Sequence, residues 1–191
     1  MFNEPVYPYL PKDKSFSFVP KTHPMMAAAE EAAYQHSGCS WWQTGAVVVK
    51  NNTILGRGAN TGQWQPLCPR YEKGCKTGEG YELCKTICKQ TGHAEIIAIQ
   101  DALKKNHTIK NAQLYLFGHW WCCENCWTTI LEHNIQTVYL VENAHQLFTR
   151  QNREAVKKRI KEKIKKGDPI KKSEVFWQIP PELGANDIPY T

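Results

Sequence analysis

Between residues 45 and 141 the apolar positions follow two different periods. Val47, Val48 and Val49 form a short apolar run that predicts a buried strand. Asn51-Asn52 predicts a turn and residues 53–59 a returning strand, so the pair reads as a hairpin. Over residues 93–105 the spacing changes to that of a helix, with Ile96, Ile97, Ile99 and Leu103 mostly inward. A strand is predicted over 113–117, a helix over 123–133 and a further strand over 137–141. Ahead of the hairpin, the alanine-rich stretch 22–37 predicts a helix. Thr22 is its expected cap, Pro24 falls in its first turn and Gly38 is its expected stop. Helix, strand, strand, helix, strand, helix, strand is the order of a mixed sheet layered by helices.

The flanks follow other patterns. Residues 1–20 are rich in proline, which removes donors and breaks helices, and read as an extended arm. Its Phe16 and Phe18 are expected to dock on the core or on another subunit. Trp41 and Trp42 are expected to pack under the sheet. Residues 60–92 lack apolar periodicity, and a loop this long needs a function or an internal staple. From Phe148 the chain turns basic. Val156, Ile160 and Ile164 recur every four residues, and Gly167 and Pro169 end the pattern. This predicts a helix laid on the core with its lysines in water; a nucleic-acid patch is the alternative. The last 22 residues read as a tail. The division expected is an arm over 1–20, a domain over 21–147 with an insertion at 60–92, and a basic helix and tail over 148–191.

Composition narrows the chemistry. The 191 residues suit one domain with extensions. The net charge of +6 resides largely in the C-terminal run and suits a small anionic substrate; by itself it does not imply nucleic acid. No stretch has the length of a membrane span, so no membrane partner is expected, and the first residues lack a signal peptide's pattern. An intracellular, cytoplasmic chain is therefore expected. Of the eight cysteines, all but Cys39 fall between Cys68 and Cys126, around His93. In a reducing compartment such clustering points to metal ligands rather than disulfides.

His93, Cys123 and Cys126 make a three-ligand zinc set with a fourth position open, as in catalytic zinc sites. Cysteines at i and i+3 share a helix face, and a helix N-terminus favours thiolate. Cys122 with Cys126 is an alternative pair. Zinc lowers the pKa of bound water to about 7. Glu95, two residues from the histidine, can take that proton and deliver it elsewhere, which suits hydrolytic removal of an amine from an amidine-like carbon. Alone, His-x-Glu or Cys-x-x-Cys would say little; in this order, with a helix, a strand and a helix start between them, they reinforce each other. Cys68, Cys75, Cys84 and Cys88 can form a second, closed structural zinc site, with His119 able to replace Cys75.

T-G-A-V-V-V-K and G-A-N in the hairpin, H-A-E-I-I-A-I and C-C-E-N-C together resemble the cytidine and deoxycytidylate deaminase superfamily, whose signature is H-x-E followed by P-C-x-x-C. The resemblance spans about residues 27–141. C-K-T-I-C-K-Q-T-G-H-A-E looks most like the deoxycytidylate branch. It implies a three-layer α/β/α cytidine deaminase-like fold around a five-stranded mixed sheet, zinc on His93, Cys123 and Cys126, Glu95 as proton shuttle, and Asn60 against the nucleotide. Ala94, His119 and Trp121 are further expected substrate contacts. Two departures stand out: Cys122 occupies the usual proline position, and F-G-H-W-W-C is longer and more aromatic than the family's turn. The expected reaction is deamination of a cytosine nucleotide, dCMP first. The alternatives are a base in single-stranded nucleic acid or transfer RNA, and a non-catalytic zinc module that binds nucleotides. Arg57, Arg70 and Lys73 are candidates for a phosphate, with Arg70 preferred. A homo-oligomer is expected.

Overall fold

The protein is described by a computed structural model covering residues 5–76 and 79–176. The elements are β1 (Phe16–Val19), α1 (Pro24–His36), β2 (Gly45–Lys50), β3 (Thr53–Ala59), α2 (Pro69–Glu72), α3 (Tyr81–Thr86), α4 (Ala94–Lys104), β4 (Gln113–Phe117), α5 (Glu124–Glu132), β5 (Thr137–Val141), α6 (Ala144–Leu147), α7 (Arg150–Lys166) and α8 (Lys172–Val175). The five strands form one mixed sheet in the order β1-β5-β4-β2-β3. β1, β5 and β4 run parallel, while β2 is antiparallel to both β4 and β3. Four strands are those read from the periodicity. The fifth, β1, lies inside the proline-rich arm, where four residues are too few to show a period; Phe16 and Val19 are buried and Phe18 is exposed.

Which helix covers which face follows from two glycines. Gly58 pairs with Ala46, so the two share a face. A Cβ built on Gly58 would lie 2.3 Å from Ala98 N and 2.4 Å from Ala94 O, so α4 covers that face. Gly45, the neighbour of Ala46, points the other way, and a Cβ there would lie 2.1 Å from Ala29 O. α1 therefore covers the opposite face, giving the α/β/α layering. Such close approach also changes which side of α4 is inward. Ala94, Glu95, Ala98, Ile99 and Ala102 are buried, whereas Ile96 and Ile97 are half-buried and Leu103 is exposed. Small residues face the glycines because larger ones would hold the helix off the strand.

The ends of α1 differ from the expectation. His23, rather than Thr22, is the N-cap, its Nδ1 accepting from Met25 N at 3.3 Å, and the helix stops at His36 with Ser37 as C-cap. Residues 60–92 are not wholly irregular, since they contain α2 and α3. α7 is the basic helix, but its inward face is not apolar alone. Ile160 is buried, Val156 half-buried and Ile164 exposed, while Arg153 and Lys157 are fully buried. Arg153 donates to Trp41 O (2.8 Å), Ser40 O (3.2 Å), Gln43 Oε1 (2.9 Å) and Val175 O (2.8 Å), and Lys157 Nζ donates to Ser40 O. Buried charge is tolerated only when hydrogen-bonded, and here the carbonyls of the loop before β2 supply the partners. Burial, with Arg153 beside it, pushes the Lys157 ammonium down to about 7. Of the expected tail, residues 170–176 carry α8 and the remainder lies outside the described residues. Among the described residues no helix is long and apolar enough to cross a membrane.

Candidate zinc centre and active-site cavity

α4 and α5 pack side by side on one face of the sheet, and their N-termini meet. His93 is the N-cap of α4 and Cys123 the N-cap of α5, both with extended backbone (φ −82°, ψ 156° and φ −71°, ψ 166°), and Cys126 lies in the first turn of α5. Neither cap side chain is spent on its own helix, so imidazole and thiol are free to face each other. His93 Nδ1, Cys123 Sγ and Cys126 Sγ stand 3.3 Å apart pairwise. Among the described residues this is the one trio of histidine, cysteine or carboxylate donors all within 4.8 Å of one another.

The triangle fits zinc. Its centre lies about 1.9 Å from each donor, just inside Zn–N and Zn–S bond lengths of about 2.0–2.3 Å, so an ion can sit against the triangle and keep a fourth position open. The electrostatics favour one thiolate of the cysteine pair, the hydrogen bond to Cys123 and burial holding the Cys126 thiol well above the usual range. Hydrogen bonds from Cys126 and then His93 pull the Cys123 thiol down to about 4, overcoming burial.

Glu95 occupies the first turn of α4 and is only 5% exposed. Burial raises its pKa, with the nearby His93 charge opposing. The fully buried Cys122 is hydrogen-bonded to Glu95, and burial holds its thiol well above the usual range. Cys122 therefore lies outside the trio and serves as a neutral neighbour of the carboxylate.

His93, Cys123 and Glu95 line a cavity of about 360 Å³, which Ala94, Asn60, His119, Trp120 and Trp121 also border. Asn60 is largely occupied by the framework. Its Nδ2 donates to Trp42 O (2.7 Å), and its Oδ1 accepts from Ser37 Oγ (2.7 Å) and Thr44 N (3.0 Å). One amide N–H remains for a ligand. His119 Nδ1 accepts from Trp121 N at 3.4 Å, and its ring packs against Trp42 and Trp121. Burial, aided by the His93 charge, pushes it down to about 4, so it is neutral near pH 7.

Several lining residues escaped the sequence reading. Trp42 packs against the main core, and both Trp41 and Trp42 also line the cavity, where the loop before β2 is held to α7 by Arg153 and Lys157. Pro8 of the arm and His145, Phe148, Thr149 and Arg150 from the α6–α7 region complete the wall. No local pattern could have announced them, since each is brought in from a distant segment. Of the three phosphate candidates, Arg70 lines the cavity; Arg57 and Lys73 are exposed and do not.

The second cysteine group gathers differently from the expectation. Cys39, Cys68, Cys84 and Cys88 border a small cavity of about 10 Å³ behind the main one, while Cys75 is outside it. Cys39 and Cys68 share a hydrogen bond, which together with contacts from Trp42 and Lys157 pulls the Cys39 thiol down to about 6 against the effect of burial. His119 belongs to the main cavity and does not border the cysteine group.

Residues 20–142 match the cytidine and deoxycytidylate deaminase zinc-binding region. No curated protein matches. Among solved structures, the apo dCMP deaminase from cyanophage S-TIM5 is 25% identical, covering 65% of this chain and 86% of that one, with a TM-score of 0.43. The same enzyme in complex with dCMP and dUMP is 23% identical, covering 71% and 88%, with a TM-score of 0.45. Guanine deaminase from Bacillus subtilis is 19% identical, covering 67% and 71%, with a TM-score of 0.37.

Proposed function

Because the chain belongs to the cytidine and deoxycytidylate deaminase zinc-binding family, we propose that it is a zinc-dependent hydrolase that removes the exocyclic amine of a cytosine nucleotide, with dCMP as the substrate. The observation that carries this reading is the His93–Cys123–Cys126 triangle with the buried Glu95 beside it on one cavity wall. A structural zinc site has no use for that carboxylate; a hydrolytic one does.

Zinc on the three donors supplies Lewis acidity that ionises water near neutral pH. The remaining work belongs to the chain. Glu95 has a raised pKa because it is desolvated, so its carboxylate is a strong enough base to take a proton inside the cavity and its acid form a usable donor. In this reading it accepts one proton of the attacking water and passes it to the ring nitrogen next to the reacting carbon, then takes the remaining proton of the newly added hydroxyl and gives it to the amine, which leaves as ammonia while the carbonyl forms. The aromatic wall of Trp41, Trp42, Trp120 and Trp121 excludes water and offers faces for a base. The spare Asn60 N–H and the neutral His119 orient the nucleotide.

A second zinc belongs to the same reading. Its ligands are Cys39, Cys68, Cys84 and Cys88, with Cys39 in the place expected for Cys75. The four cysteines border one space of about 10 Å³ but no three of their sulfurs lie within 4.8 Å of one another, so a closed structural site, which would staple the long insertion to the helix–strand loop, requires them to draw together around the ion. Self-association and a cytoplasmic location complete the proposal.

Ammonia release is the direct test, measured over a panel of free bases, nucleosides, nucleotides and oligonucleotides. dCMP should be the best substrate. Glu95→Ala should abolish release while the zinc content stays unchanged. Turnover surviving that substitution would refute the role given to Glu95, and turnover confined to oligonucleotides would move the substrate to nucleic acid.

A further inference from the structure

Two guanidinium groups converge on one wall of the cavity. Arg70 comes from α2 in the cysteine-rich insertion, and Arg150 opens α7, beyond the residues that match the family. Each has its Cζ 5.5 Å from the centre of the Trp41 ring, and all three residues line the cavity.

Both groups are oriented without being used up. Arg70 Nε donates to Glu79 O at 2.7 Å, and its guanidinium lies 4.2 Å from the Tyr81 ring centre. Arg150 Nη1 donates to Cys75 O, and its Nε meets Glu154 Oε1, both at 3.4 Å. The Glu154 contact is a half-exposed i,i+4 pair of the kind that contributes little. A guanidinium carries five N–H donors, so donors remain on each. The Trp41 indole N–H is buried and has no acceptor among the described residues. Glu95, beside the zinc ligands, is the one carboxylate among the described residues that line the cavity. This wall therefore holds two like charges and spare donors, with only the half-exposed Glu154, outside the cavity lining, set against one of them. The complementary ligand group is a compact anion with several acceptor oxygens, and arginine's planar fork suits phosphate in particular.

We propose that Arg70 and Arg150, both held against the Trp41 ring, form a phosphate subsite of the cavity, so that the substrate is a phosphorylated nucleotide and the start of the C-terminal helix is part of the substrate site. The proposal rests on the deaminase reading for the reaction and is independent of which base reacts. It also gives the buried Arg153 a positioning role, since its hold on the Trp41 carbonyl fixes the ring that both guanidiniums contact.

The test compares the 5′-monophosphate and the nucleoside of whichever base the enzyme deaminates. The wild type should favour the nucleotide. Arg150→Gln should raise KM for the nucleotide about 10- to 100-fold, the span of one charge-assisted contact, and affect the nucleoside much less. Arg70→Gln should act in the same direction, and Arg150→Lys should restore part of the loss. A base other than cytosine would overturn the cytosine assignment and leave the subsite standing. Equal kcat/KM for nucleotide and nucleoside, or an Arg150→Gln loss shared equally by both, would overturn the subsite and leave the deaminase reading intact. Thermal stabilisation by dUMP against deoxyuridine gives a second readout that needs no turnover: stabilisation by dUMP alone, lost in Arg150→Gln, supports the subsite, and equal stabilisation by both overturns it.

Discussion

Gly58→Ala should cost the protein its zinc as well as stability. A Cβ at Gly58 would lie 2.3 Å from Ala98 N and 2.4 Å from Ala94 O, both main-chain atoms of α4. Ordinary contact is about 3.5 Å, so the helix must retreat from β3 by about 1 Å. Neither a rotamer change nor a flexible tip can absorb the clash. Overpacking of this kind costs about 1–3 kcal/mol. For a chain of this size that is a fall in Tm of about 2–12 °C. The larger consequence is geometric. α4 carries His93 as its N-cap, whereas Cys123 and Cys126 ride on α5. A shift of about 1 Å in one helix is several times the tolerance of about 0.2 Å on metal–ligand distances. Zinc content by elemental analysis should fall together with Tm. Gly92→Ala is the control. It lies next to His93 in the chain, but its added Cβ would meet only the Ile97 side chain, with Cδ1 at 3.2 Å. That methyl can move, so Tm and zinc should be nearly unchanged. A Gly58→Ala protein with parental Tm and full zinc would refute the reasoning. So would a Gly92→Ala protein as damaged as Gly58→Ala, because nearness in sequence would then matter more than the fit of helix to strand.

Three further outcomes follow from the same structure. Metal analysis should return two zinc ions per chain, falling to one in Cys39→Ser and staying at two in Cys75→Ser; one ion in the wild type would remove the second site. Arg153→Met takes the donor from the Trp41 carbonyl and the Gln43 amide oxygen inside the protein, whereas Ser40 O keeps Lys157 and Val175 O keeps the Gln43 amide, and urea unfolding should show a loss of about 3 kcal/mol. Asp101 accepts from Arg57 N at 2.9 Å and Lys105 Nζ at 2.6 Å and so clips α4 to β3. Burial acts upward on Asp101, but these partners prevail and its pKa is lowered from 3.8. The clip's contribution is therefore present above that pH and lost as pH falls through the lower, folded value. Asp101→Asn should reduce stability at pH 7 by about 1 kcal/mol, and the difference from wild type should shrink in acid unfolding below pH 3.8.

Period and punctuation in the chain were enough for α1, the hairpin, α4, β4, α5 and β5, because each buries one face against the sheet and so repeats its apolar residues at a regular interval. The zinc trio and Glu95 were equally legible, since their chemistry demands particular residue types at particular spacings near helix starts. Other features carried no such signal. β1 is four residues long inside a proline-rich arm, and the inward side of α4 is alanine, chosen by the glycines of β3. The charge of Arg153 and Lys157 pointed to water, yet carbonyls of a loop more than a hundred residues earlier accept their hydrogen bonds. Cys39 joins Cys68, Cys84 and Cys88, and Arg150 joins Arg70 at Trp41, only when the insertion and the C-terminal helix close on the same loop. Local sequence determined what the reactive groups are, because periodicity and ligand spacing act over a few residues. Tertiary structure alone decided what surrounds them, because cavity walls are assembled from segments whose separation along the chain leaves no mark on either one.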